Sequence, residues 1–289
     1  MEKEKNYTFA EWANVWLEDY KRGTVKANTF RQTYQDIFRL YLIPTFGSLK
    51  LDELTREKVE DYIVSLSEKF SQSLLSKIRL CVMGMYDVAI DKKIVNMANP
   101  AKKIKVRSLK EKKTKQTFSK EEADRVFDYA SAHKYGVGIC LLLDLGLRCS
   151  EMLGLKWGDV DFRANCISIK RASVTIDYKA VVSTPKTPTS IRTLPMSQRL
   201  ARLLKKNCGE KDEYIIHHNN KAPYNPIDYT RYRYNVFFKD ASADLGIPRL
   251  SPHELRHTCG TNLYARSGDI YAVSKYLGHA SVETTAHYY

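Results

Sequence analysis

The sequence predicts a mostly α-helical chain of two domains, the second of which also carries a small antiparallel β-sheet. Three observations predict it. Apolar residues recur at helical spacing through most of the first hundred positions. The stretch Ala101 to Lys115 holds eight basic residues against Glu111 alone and separates two regions of ordinary composition. Beyond it, only the region around 160–195 breaks into short β-rich pieces with turn residues between them. A chain of 289 residues, 43% of them hydrophobic, has material for two cores and too little for four. The expected boundaries are 1–100 for the first domain, 101–115 for a basic linker and 116–289 for the second domain.

In the first domain Thr8 caps a helix whose apolar side carries Phe9, Trp12, Ala13, Trp16 and Leu17. Asn28 opens a second helix through Phe30, Tyr34, Ile37 and Phe38, and Pro44 ends that region. Thr55 caps a third, with Val59, Tyr62, Ile63 and Leu66 inward. Ser71 or Ser73 caps a fourth, with Leu74, Ile78, Val82, Met85 and Ala89 recurring at helical spacing. Asn99-Pro100 disfavours helix just before the linker.

The second domain opens on a helix from Ser119 to Ala132, where Ser119 and Glu122 form a capping-box pattern. Val137 to Leu147 is apolar almost throughout and reads as a buried helix, followed by a new one capped by Ser150. The expected strands are Val160 to Phe162, Cys166 to Arg171, Ala180 to Thr184 and Arg192 to Pro195. Helices resume at Ser197 to Lys206, Tyr229 to Leu245, Pro252 to Ala265 and Ile270 to Leu277.

The formal net charge of +14 favours a polyanionic partner, nucleic acid ahead of an acidic membrane surface. No apolar run is long enough to span a bilayer, and Met1 to Tyr7 lacks the apolar core of a secretory signal. Six cysteines without C-x-x-C spacing fit reduced thiols in a cytosol better than a zinc ribbon or a disulfide scaffold. The basic stretch is either a solvated tether or a strap along phosphates, with Lys102, Lys103, Lys105, Lys112 and Lys113 as its contacts. Lys26, Asn28, Arg31, Gln32, Ser73, Lys77 and Arg79 lie on the polar helix faces of the first domain and are candidate DNA contacts; each taken singly is as readily a solvated position.

Some residues could grip a phosphodiester. Arg148 lies in Gly146-Leu147-Arg148-Cys149-Ser150-Glu151, between two helices. His253 and Arg256 are three apart in His253-Glu254-Leu255-Arg256-His257, and so share a helical face. His279 follows a glycine after a helix end, Tyr288 comes nine residues later, and Lys186 sits at the tip of an expected hairpin. One lone Arg or His would mean little, but the ordered set resembles the tyrosine recombinase (phage integrase) family. The matching pieces run from Leu145 to Leu155 with Trp157 and Asp159, then Pro185-Lys186-Thr187 with Arg192 and Leu194-Pro195. They continue with His253 to Thr258 and end with Leu277-Gly278-His279, Thr284-Thr285 and Tyr288.

The resemblance implies a SAM-like core-binding domain ahead of the catalytic domain, and a site-specific recombinase or integrase that cleaves and rejoins DNA through a 3′-phosphotyrosine. It implies Tyr288 as nucleophile, in preference to the adjacent Tyr289, and Lys186 as the acid that protonates the departing 5′ oxygen. The physics suits these roles. Two guanidiniums, Arg148 and Arg256, offset phosphate charge with rigid donors that stay protonated, and His279 adds a hydrogen bond. His253 is the candidate base for a phenol whose unperturbed pKa is about 10. Glu151 orders the site from behind. The phosphodiester energy is retained in the tyrosine linkage, so no cofactor and no metal are expected, and no G-x-x-x-x-G-K-[ST] loop is present. The expected partners are double-stranded DNA held between the two domains, a homo-tetramer on paired sites, and accessory DNA-bending proteins. The expected setting is a bacterial cytoplasm, at the nucleoid, with integration or excision of a mobile element or phage as the role. The sequence ends one residue after Tyr288, without the C-terminal helix usual in the family, so weakened tetramers are expected.

Three alternatives remain at the level of sequence. His253-Glu254-Leu255-Arg256-His257 is also H-E-x-x-H, a zinc-protease pattern with Glu254 as base. A DNA-binding module without catalysis would share the charge. A type IB topoisomerase would share the chemistry on one strand.

Overall fold

The computed structural model describes residues 6–111, 116–176, 179–184, 191–279 and 281–286. It is mostly helical and divides into two compact units, Met1–Thr114 and Lys115–Tyr289.

The first unit begins with α1 (Phe9–Val15), which continues into a π-helical turn at Trp16–Lys21. The Thr8 hydroxyl accepts from the Glu11 amide and the Glu11 carboxylate accepts from the Thr8 amide, so the first turn is satisfied from both ends. The second helical stretch starts at α2 (Ala27–Thr29), with Lys26 rather than Asn28 at its N-cap. It runs through π-helical turns at Phe30–Gln35 and Phe38–Leu42 into α3 (Ile43–Phe46). Pro44 therefore does not end the region. The helical backbone continues through it to Phe46, directly after the π-helical turn at Phe38–Leu42. Thr55 caps α4 (Arg56–Leu66), and Ser71, not Ser73, caps α5 (Gln72–Asp91) by accepting from the Leu74 amide. Phe9, Trp12, Trp16, Phe38, Leu42, Ile63, Ile78, Val82 and Met85 form the core of this unit.

The basic stretch is docked on the first unit over its described part. Ala101 and Ile104 are buried in the same core. Asn99 donates to the Met83 carbonyl and to Asp87, and accepts from the Ala101 amide, which turns the chain back along α5. Further on, the Ser108 amide donates to the Gln72 side chain and the Leu109 amide to the Ser67 carbonyl. The physical reason is the apolar pair Ala101 and Ile104, which anchors a segment whose other side chains are charged. Lys102, Lys103, Lys105 and Arg107 remain exposed on it.

The second unit holds α6 (Lys120–Ala132), α7 (Val137–Leu145), α8 (Cys149–Leu153), α9 (Gln198–Lys206), α10 (Pro226–Tyr229), α11 (Asn235–Leu245), α12 (Pro252–Ser267), α13 (Ile270–Leu277) and α14 (Val282–Ala286). The expected single sheet is two. Strands β1 (Val160–Asp161), β2 (Cys166–Ile169) and β5 (Arg192–Pro195) form one antiparallel sheet in the order β1-β2-β5. Strands β3 (Ala172–Ile176) and β4 (Lys179–Ser183) form a separate hairpin. β3 was not anticipated: its burial does not alternate cleanly, and its pairing with β4 is what makes it a strand. Lys186 falls between β4 and β5 in the sequence and lies outside the described residues. α7 is buried on nearly all sides and fills the centre of the unit's core. No described helix is long and apolar enough to cross a membrane.

Candidate active site

The site is built where four chain segments end. α7 stops at Gly146, which adopts φ +59°, a left-handed conformation that costs glycine least. A Cβ there would lie 2.7 Å from Leu277 Cδ2 and 3.0 Å from Cys259 Sγ, so close packing also demands the glycine. Two residues on, Arg148 is extended and serves as the N-cap residue of α8; Ser150 is inside the helix, not its cap. The capping group is Glu151, whose Oε2 accepts from the Arg148 amide at 3.0 Å. Its Oε1 lies 2.6 Å from Arg148 Nη1. A carboxylate in a first helical turn meets the positive end of the helix as well as these donors.

The second segment is α12. Ser251 and Glu254 form its capping box, and Pro252 opens the first turn. This start sets Arg256 one turn in and buried, with its side chain only 2% exposed. Its Nη1 donates to the Gly146 carbonyl at 2.7 Å and its Nη2 to the Leu277 carbonyl at 2.6 Å. Nη1 also lies 4.0 Å from Glu151 Oε2. His253 is on this helix, edge-on to His257 at 4.6 Å between ring centres.

The third segment is the end of α13. Gly278 has φ +68°, and the His279 amide reaches back to the Ser274 carbonyl at 3.0 Å, a Schellman closure. His279 is thereby presented just beyond the helix. Its Nδ1 lies 2.8 Å from the hydroxyl of Thr285, which is fully buried on α14.

The fourth is the start of β5. Sequence reasoning does not single out Arg192 as a site residue, and the structure puts it in the centre. Its Nη2 and Nη1 meet Glu151 Oε2 and Oε1 at 3.0 and 3.3 Å, and its Nε donates to the Tyr276 carbonyl at 2.9 Å. The sequence held one sign of this: Arg192 and Leu194 share a face of β5, and Leu194 is core, so an arginine there needs a buried carboxylate.

Three consecutive carbonyls, those of Tyr276, Leu277 and Gly278, thus accept from Arg192, Arg256 and Arg148 in turn. The last carbonyls of a helix have no intrahelical partner and carry partial negative charge, which is why cations gather there. Burial alone would raise the Glu151 pKa, but the Arg192 hydrogen bonds and charge, the Arg148 amide and the Arg148 charge outweigh it and hold the carboxyl below its ordinary value. His279 moves the other way from a typical partnered histidine. Its pKa is pushed down to about 4, first by burial and then by the charges of Arg256, Arg148, His253 and Arg192. It is neutral at pH 7.

The structure therefore brings Arg148, Glu151, Arg256 and His279 together, and His253, on the same helix as Arg256, is among the charges that lower the His279 pKa. Lys186 and Tyr288 lie outside the described residues, as do Lys112 and Lys113. On the first unit Lys26, Gln32, Ser73 and Lys77 are exposed and Arg31 is partly covered; Asn28 is in α2, its side chain outside the description. Arg79 is tied to the Ala101 carbonyl at 3.3 Å. Glu254, the base of the zinc alternative, accepts at the helix start from the Ser251 amide at 2.7 Å and from the Gln116 amide at 3.4 Å. A cluster of three guanidiniums organised on one carboxylate leaves a net positive, partly open site, since the Arg148 side chain is 37% exposed. Such a site suits a phosphate anion whose charge grows during displacement.

Two family models match the sequence. "Phage integrase family" matches residues 107–289, and "Phage integrase, N-terminal SAM-like domain" matches residues 8–67. The chain belongs to the phage integrase family. As a member it is a tyrosine site-specific recombinase, with a SAM-like domain in its first unit. It is 26% identical to a "Tyrosine recombinase XerC-like" protein of Caldanaerobacter subterraneus subsp. tengcongensis, covering 99% of this chain and 79% of that one. It is also 26% identical to the ICEBs1 integrase of Bacillus subtilis (strain 168), covering 99% and 80%. In fold it is similar to the Tn1549 transposon integrase in complex with a circular intermediate DNA, at a TM-score of 0.81 and 19% identity, over 98% of this chain and 95% of that one. A lambda integrase dimer bound to a core site matches at a TM-score of 0.72 and 17% identity, over 99% and 78%.

Proposed function

We propose that this integrase-family chain cleaves one DNA strand at a time through Tyr288 and rejoins it to a partner strand. The Tyr288 phenol oxygen bonds to phosphorus with His253 taking its proton. The bond to the 5′ oxygen breaks with Lys186 supplying the proton to the leaving group. The products are a 3′-phosphotyrosine and a free 5′ hydroxyl, and attack by a second 5′ hydroxyl reverses the step. Arg148, Arg256 and neutral His279 offset the charge on the non-bridging oxygens. The observation that carries this reading is the anchoring of Arg148 and Arg256 on successive carbonyls, Gly278 and Leu277, directly before His279.

Duplex DNA is the proposed substrate, with Lys26, Asn28, Arg31, Gln32, Ser73, Lys77 and the exposed lysines of the docked strap as backbone contacts. A homo-tetramer on paired sites, assisted by DNA-bending proteins, is the proposed assembly; the lambda integrase has been solved as a tetramer bound to a Holliday junction. The names of relatives from an integrative element and from transposon Tn916 support integration or excision of a mobile element, in a bacterial cytoplasm at the nucleoid, as the role. The test is incubation with a nicked suicide duplex carrying the target site, followed by denaturing electrophoresis. A covalent protein–DNA band is expected for the native chain and none for Tyr288→Phe, with DNA binding retained. A band that survives Tyr288→Phe overturns the assignment of the nucleophile.

A further inference from the structure

We propose that Arg192 is a positioning residue of this site: it fixes the distance between the start of α8 and the end of α13, and through that distance aims Arg148 and His279 at one phosphate. The inference rests on the phosphate-binding reading of Arg148, Arg256 and His279, and adds to it a residue that touches no DNA.

The geometry is specific. Arg148 is held from two sides, by Glu151 at 2.6 Å and by the Gly278 carbonyl at 2.9 Å. Both holders lead to Arg192. Its guanidinium grips both oxygens of the Glu151 carboxylate, and its Nε takes the Tyr276 carbonyl, two residues before Gly278. The side chain is 8% exposed and that of Glu151 is 2% exposed, so the fork is protected from water. The planar guanidinium is what allows one residue to meet a carboxylate with two nitrogens and a carbonyl with the third. A lysine ammonium at the same place offers a point charge on a flexible stem and cannot reproduce three fixed directions. Without Arg192 the Glu151 carboxylate turns toward Arg148 and Arg256 alone, and the Tyr276 carbonyl loses its donor. The helix end that presents His279 then loosens. A displacement of about 1 Å at reacting groups costs about 100-fold in rate.

The role differs from general support of the core, and the difference is measurable. Arg192→Ala and the milder Arg192→Lys are compared with the native chain in three ways. Covalent-complex formation on the suicide duplex is expected to slow by about 10- to 100-fold in Arg192→Ala and less in Arg192→Lys, with DNA affinity within about twofold. Amide exchange at Gly278 and His279 is expected to quicken in both variants while α6 and α7 keep their protection. The His279 imidazole, followed by NMR without DNA, is expected to titrate at higher pH once a nearby cation is gone. Arg192→Ala combined with Glu151→Gln is expected to be no slower than the slower single variant, because the two act as one unit.

Native-rate cleavage by Arg192→Ala overturns the proposal. So does slow cleavage with unchanged exchange and titration at the end of α13, and so does a double variant whose losses multiply. Exchange and titration need no DNA. If the native chain forms no covalent complex, the strand-transfer reading fails, and these two measurements still decide the role of Arg192.

Discussion

Arg256 donates to the carbonyl of Leu277 at 2.6 Å from a side chain that is 2% exposed. The same guanidinium takes the Gly146 carbonyl at 2.7 Å, so one residue of α12 joins the ends of α7 and α13. The proposed phosphate contact and a structural role therefore fall on the one side chain of Arg256. Arg256→Lys keeps the charge and loses the fork. It is expected to reduce strand cleavage by about 10²–10³-fold, the usual loss for one donor aimed at developing charge, while leaving DNA affinity nearly unchanged. Single-turnover cleavage and filter binding on the same duplex check it.

His279 sets a pH dependence whose sign follows from its environment. Its folded pKa of about 4 lies below the unfolded value, so the unfolded chain binds the proton first as pH falls. The contribution of His279 to stability is complete above about pH 6.5, the ordinary histidine value, and is lost as pH falls toward 4. His279→Gln is expected to flatten the fall in stability across that window, measured by denaturant unfolding at several pH values.

Thr285 supplies the hydroxyl that meets His279 Nδ1 at 2.8 Å from a fully buried position. Thr285→Val keeps the volume and removes that partner. Cleavage is expected to slow by about tenfold, since a net hydrogen bond of about 1–1.5 kcal/mol is lost at a group that must hold its orientation. Native-rate cleavage would show that α14 does not orient the ring.

Gly146 combines a positive φ with close neighbours. Gly146→Ala places a methyl group in the left-handed region, at a cost of about 1–2 kcal/mol before any clash with Leu277. A Tm lower by about 3–8 °C is expected. Because the Gly146 carbonyl is an Arg256 acceptor, slower cleavage is expected alongside it. Calorimetry and the suicide-duplex assay read the two effects separately.

The docked strap gives the electrostatic prediction. Lys102, Lys103 and Lys105 project from a segment that Ala101 and Ile104 hold in the core, so their charges are presented from a fixed surface. Changing all three to Ala is expected to lower the slope of log affinity against log salt by about 2–3, near 0.9 for each phosphate contact removed, with equal weakening on unrelated sequences. An unchanged slope would mean that these lysines meet no phosphates.

The local signals in the sequence were readable because they act over three or four residues. Thr8, Thr55, Ser71, Ser119 and Ser197 each cap a helix through a hydroxyl that accepts from an amide three residues on, and no tertiary contact is needed to see it. The glycine before His279, the shared face of His253 and Arg256, and the place of Glu151 three residues after Arg148 are local in the same sense. The strand β3 and the path of the basic stretch were decided instead by distant residues. β3 depends on its pairing with β4, and the basic stretch lies on α5 because Ile104 enters a core formed by residues from Phe9 to Ala89.

By itself, then, the sequence determined the helical class, the caps at Thr8, Thr55 and Ser119, and which cations are candidates to hold a phosphate. Only the tertiary structure decided that Arg192 grips Glu151 behind those cations, and that Tyr276, Leu277 and Gly278 are where three arginines end. The reason is physical: a buried guanidinium is tolerable only where carboxylate and carbonyl oxygens from remote segments surround it, and spacing along the chain does not record which segments those are.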